Sequence, residues 1–141
     1  MFNNILVAID GTAQCVKVME LAASLEHENL HVHYVCVIAA EYCATSQASK
    51  EASPAAAREQ ARVERIMEDA RCYWLHRKIN ATGRVITGTP ERSIPSYAKA
   101  SLCDLIIMGH HHLSTFERLV GNSVAYQVLE NAPCPVLIEV R

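Results

Sequence analysis

A chain of 141 residues fits one ordinary domain with a sizeable core. Its residues are 50% hydrophobic and 20% charged, with a formal net charge of −2, the balance of a globular domain with a mixed-charge surface. Lys and Arg are scattered, so the electrostatic footprint of a nucleic-acid binder is missing.

No apolar run reaches the roughly 18 residues that span a bilayer, so no membrane partner is expected. The opening "MFNNILVAID" has neither a basic n-region nor a small-residue cleavage site. It reads as a buried strand over residues 4–10, and a cytoplasmic location is expected. "CVKVMELAASLEH" follows, with Val18, Leu21, Ala22 and Leu25 at helical spacing on one apolar face. The second strand, near residues 31–38, is apolar and β-branched; its His31 and His33 share a face and read as a polar strand start. Ala39–Ser53 is polar, rich in Ala and Ser, and without period, the pattern of a mobile loop.

From Pro54 to about Arg77, Val63, Ile66, Met67, Ala70 and Trp74 mark the inner face of a long helix. Arg58, Glu59, Arg62, Glu64, Arg65, Glu68 and Asp69 form its polar side, read as a solvated face. "ATGRVITG", with a strand near 82–87, is shorter and more polar, as an edge strand is. "TPERSIPSYAKAS" offers Thr89 as N-cap and Pro90 at the first helical position, and Pro95 should kink it. "DLIIMG" gives a buried strand near 104–108, "SVAYQVLENA" a short helix, and "PVLIEV" a last strand near 135–140.

The alternation of strand and helix specifies one α/β domain over residues 1–141 with a parallel sheet and helices on both faces. Ligands of such sheets sit beyond the carboxyl ends of the strands, where the strand order reverses. Of the six cysteines, none forms a C-x-x-C pair. Cys36 and Cys103 lie in or beside apolar runs, where a thiol acts as a small hydrophobe.

The stretch "IIMGHHHLSTFERLVGNSV" closes the fourth strand with Gly109 and opens a helix at Asn122-Ser123. Both are strong N-cap residues, and a helix N-terminus with free N–H groups suits an anion. Adjacent histidines on an extended loop point in different directions, so His110, His111 and His112 do not converge on one ion, and no metal site is expected. No P-loop, no G-x-S-x-G elbow and no H-E-x-x-H motif occurs. No catalytic residues are assigned, and activity beyond weak ATP hydrolysis is not expected.

"NILVAIDGT", "VITGTPERSI", "CDLIIMGHHH" and "GNSVAYQVLENAPCPVLIEV" together resemble the universal stress protein family over nearly the whole chain. The resemblance implies a Rossmann-like open sheet of five parallel strands in order 3-2-1-4-5. It also implies ATP or AMP bound through a G-x2-G-x9-G-[ST] motif after the fourth strand, with Mg if the ligand is ATP. Carried onto this sequence, Asp10 contacts the adenosine moiety, and Ala8 and Val37 line its pocket. Met108 and Gly109 form the strand-end pair, Ser123 ends the motif and Val124 follows it.

Two positions depart from the motif: His112 and Asn122 stand where it has glycines. Glycine allows left-handed backbone and close approach to phosphate; Asn tolerates the first requirement, whereas the His112 ring occupies space. Two functions follow. One is a stress-response protein binding an adenine nucleotide at the ends of strands one and four, favoured by Asp10, Gly109 and Ser123. The other is an interaction protein of the same fold that has abandoned the ligand and acts through a protein partner, favoured by His112 and Asn122. A homodimer pairing through residues 135–140 is expected for either, because the resemblance makes that strand a sheet edge.

Overall fold

Ile5, Leu6 and Val7 form an unbroken apolar run, so the strand that holds them is stable only where both of its faces are covered. The computed structural model, which describes residues 1–39, 54–110 and 124–140, gives that result: all three side chains are fully buried. They lie in β1 (Asn4–Ala8), which is followed by α1 (Gln14–Ala23), β2 (His31–Ile38), α2 (Pro54–His76) and β3 (Asn80–Thr87). Then come α3 (Pro90–Ala100), β4 (Leu105–His110), α4 (Val124–Asn131) and β5 (Val136–Val140). The five strands form one sheet in order β3-β2-β1-β4-β5, and every pairing is parallel.

Because side chains alternate along a strand, each central strand feeds two cores. Ile5 and Val7 pack with Val18, Val63, Ala70 and Trp74 from α1 and α2. Leu6 packs with Ile94 and Ala98 of α3, Ile106 of β4, and Ala125 and Val128 of α4. The apolar helical spacings expected from sequence are the buried faces: Val63, Ala70 and Trp74 on α2, and Val18 and Ala22 on α1, are all buried. Cys36 and Cys103 are buried free thiols, and burial pushes their pKa values up to about 11 and about 12.

The element ends differ from expectation where local hydrogen bonds intervene. β1 stops at Ala8 rather than residue 10, although the Ile9 amide still donates to the Val35 carbonyl at 2.9 Å. β4 runs on to His110 because Gly109 and His110 pair with Glu139 and Val140 of β5. β3 starts at Asn80, in register with His31. α3 continues unbroken through Pro95. The ring is buried against the core, which offsets the missing N–H, and the Thr89 carbonyl anchors the first turn by accepting from the Arg92 and Ser93 amides. The segment read as a mobile loop lies almost entirely, from residue 40 to 53, outside the described residues.

β3 and β5 are the sheet edges. On β3, Gly83 lies beneath the Tyr34 ring: a Cβ there would fall 2.5 Å from Cε2 and Cζ. Tyr34 is itself buried, with the Trp74 ring 6.3 Å away, so it has little room to retreat. Gly83→Ala is therefore expected to destabilise the protein by about 1–3 kcal/mol, the cost of overpacking, although Ala has the smaller entropic penalty in a strand. Urea unfolding of the two proteins measures it; equal midpoints would contradict the packing described.

Candidate functional site

The loop after β1 turns sharply at Asp10. Its carboxylate Oδ1 accepts hydrogen bonds from the Thr12 amide at 3.0 Å and the Thr12 hydroxyl at 2.7 Å, an Asx-type turn. Gly11 takes φ +79°, which a side chain disfavours, and a Cβ there would meet Ile66 of α2 at 2.6 Å. The Asp10 carbonyl accepts from Arg62 Nη1 at 3.1 Å, and Arg62 is held in turn by both carboxylate oxygens of Glu59, at 2.7 and 3.0 Å. That bidentate bond keeps the Glu59 carboxyl below its ordinary pKa. Asp10 itself is exposed. Among the described residues its second carboxylate oxygen has no partner.

Ala8, Val37 and Met108 come from three adjacent strands, and all three side chains lie on the sheet face covered by α3 and α4. Ala8 is paired in register with Val35, two residues before Val37. Met108 is buried, whereas Ala8 and Val37 are only half-buried. The three form an apolar wall at the carboxyl ends of β2, β1 and β4, with Asp10 just beyond. The strand order reverses between β1 and β4, where α/β sheets take their ligands. Val124 opens α4 and is exposed. His112, Asn122 and Ser123, together with His111, lie outside the described residues.

Gly109 faces the other way. A Cβ on it would point at Gln14, 2.6 Å from Oε1 and 2.7 Å from Cδ. Gln14 is the one fully buried polar residue among those described. Its Nε2 donates to the backbone carbonyl of Glu139 at 2.7 Å and to the Glu139 carboxylate at 2.6 Å. Glu139 is the register partner of Gly109. A side chain at 109 would thus displace Gln14 from its bonds to Glu139, whether or not a phosphate approaches the same strand end.

A cleft of about 330 Å³ opens between α1 and α2, lined by Gly11, Thr12, Cys15, Arg62, Arg65 and Ile66 among others. It is on the opposite face of the sheet from the apolar wall. Burial pushes the Cys15 thiol up, so it is not an activated nucleophile. Among the described residues no three of His, Cys, Asp and Glu gather into a group that could hold a metal.

Sequence reasoning missed Gln14, Glu139 and Arg62. Gln14 and Glu139 are 125 residues apart, and nothing in their local pattern joins them. Arg62, read as part of a solvated helix face, reaches back to the Asp10 carbonyl. An Arg three residues after a Glu on a helix signals the ion pair, though not that contact.

The whole chain, residues 1–141, matches the family described as the universal stress protein family. It is 28% identical over 146 residues to universal stress protein YxiE of Bacillus subtilis (strain 168), an alignment covering 98% of this chain and 99% of the relative. Among solved structures it resembles a universal stress protein in complex with cAMP, with TM-score 0.76, 17% identity, and 99% of this chain and 97% of that chain covered. It also resembles a family protein from Arabidopsis thaliana with AMP bound, with TM-score 0.69, 14% identity, and 99% and 92% covered. Those identities bear on the fold alone. With the family matched from the first residue to the last, the chain belongs to the universal stress protein family.

Proposed function

We propose that the protein binds an adenine nucleotide at the carboxyl ends of β1 and β4, as a small-molecule-responsive member of its family. The observation that carries this reading is the apolar wall of Ala8, Val37 and Met108 at the strand-order reversal, with Asp10 at its rim. Such a wall takes the flat face of a base. The second carboxylate oxygen of Asp10, without a partner among the described residues, is suited to accept from a ribose hydroxyl, while its other oxygen is fixed by Thr12. Family structures bound to cAMP and to AMP give the reading its chemical class. Phosphate would lie near Gly109, Asn122 and Ser123, before the start of α4, where the helix dipole favours negative charge.

One feature of the sequence favours a monophosphate over ATP with Mg: His112 stands where the family motif has a glycine, the residue that lets the backbone approach phosphate most closely. Calorimetry should therefore give tighter binding of AMP than of ATP. Asp10→Ala should weaken both by about tenfold or more, the loss of a charge-assisted hydrogen bond. His112→Gly should tighten ATP more than AMP. If neither nucleotide binds the native protein at millimolar concentration, the family fold serves an interaction protein without this ligand.

The same reading includes a homodimer through β5. β5 is a sheet edge, and its Leu137 and Val140 are 40% and 69% exposed. A charged residue can guard such an edge, yet the Glu139 carboxylate is turned onto Gln14 and occupied there. Antiparallel pairing of two copies of β5 about a two-fold axis would cover the apolar side chains. Light scattering should give a dimer mass for the native protein and a monomer mass for the Leu137→Lys, Val140→Lys double variant. A native monomer at every concentration would rule the pairing out.

A further inference from the structure

At the opposite end of the sheet, the first turn of β2 carries two imidazoles that the nucleotide reading does not use. We propose that His31 and His33 form a binding site for a divalent transition metal of the zinc, copper or nickel class. Two residues apart on a strand, they project from the same face, and their ring centroids lie 4.6 Å apart with planes at 64°. A metal–nitrogen bond of about 2.0–2.1 Å on each side can span rings this close.

Each ring is already oriented through one nitrogen. His31 Nε2 is 2.8 Å from the Thr82 hydroxyl of β3, and His33 Nδ1 is 3.4 Å from the Tyr97 hydroxyl of α3. A hydroxyl can accept from a ring N–H, and in that tautomer the lone pairs remain on His31 Nδ1 and His33 Nε2. Among the described residues neither of these nitrogens has a hydrogen-bond partner. Ligating histidines are commonly fixed in this way, the second nitrogen held by an outer polar group. The Tyr97 ring also packs edge-on against His33, at 5.9 Å between centroids, which limits rotation of the imidazole.

Both histidines are half-buried, so water can reach the pair and complete the coordination. Imidazole nitrogens select zinc, copper or nickel over magnesium and calcium. Among the described residues no carboxylate joins the pair, which distinguishes it from a closed four-ligand structural site.

The test uses untagged full-length protein stripped with a chelator and titrated with zinc chloride in a calorimeter. One equivalent should bind. His31→Gln and His33→Gln should each abolish it, and Tyr97→Phe should weaken it about tenfold, the usual loss on removing an outer-shell partner. A triple variant with His110, His111 and His112 all replaced by Gln should keep it. Copper bound to the native protein should show nitrogen couplings from two imidazoles in its paramagnetic resonance spectrum. Zinc should also raise the melting temperature of the native protein but not of His33→Gln, which checks that each variant folds before its binding is read. No zinc binding by the native protein at sub-millimolar concentration, or binding retained in both single variants, would overturn the site.

Discussion

A parallel sheet has no face that tolerates water, and this architecture follows from that constraint. β1 and β4 lie side by side at the centre, with Ile5, Leu6, Val7, Ile106 and Ile107 all fully buried. They can be buried only if helices cover both sides, so the chain sends α1 and α2 to one face and α3 and α4 to the other. The helices that follow β1 and β4, α1 and α4, therefore lie on opposite faces, and the reversal of strand order between β1 and β4 is a consequence of covering the sheet.

The carboxyl ends of these strands are shaped by contacts of different range. Asp10 and Thr12 shape the β1 turn locally, while Arg62 ties that turn to α2. Gln14 joins α1 to the far edge through Glu139, and its side chain occupies the space that a Cβ at Gly109 would need. The carboxyl end of β4 and the exposed edge at β5 thus share one buried amide. That sharing makes a glycine in the motif an ambiguous sign of phosphate binding, and it places the weight of the functional reading on Ala8, Val37, Met108 and Asp10.

Much of the fold was legible because periodicity records burial directly. Unbroken β-branched runs marked the strands, and Val63, Ala70 and Trp74 marked the inner face of α2. The order of strands came from family resemblance, and the register shows it. Less legible were events decided by single contacts. Pro95 sits inside a continuous helix because its ring finds a buried place, which propensity cannot foresee. The β4 strand outlasts its apolar run because β5 supplies backbone partners. The Gln14–Glu139 link joins residues at opposite ends of the chain and leaves no local trace. His31 and His33 read as a polar strand start until Thr82 and Tyr97 are seen to orient them.

On the proposed reading, a purine base rests on the wall formed by Ala8, Val37 and Met108. Methyl-selective nuclear magnetic resonance of these three residues during titration with AMP tests it most directly. A stacked adenine should move all three methyl signals through its ring current, saturably and together, and leave the Val18 and Val63 methyls in the other core unmoved. AMP that shifts none of the three at saturating concentration, or shifts only signals on the α1 and α2 face, would contradict the account.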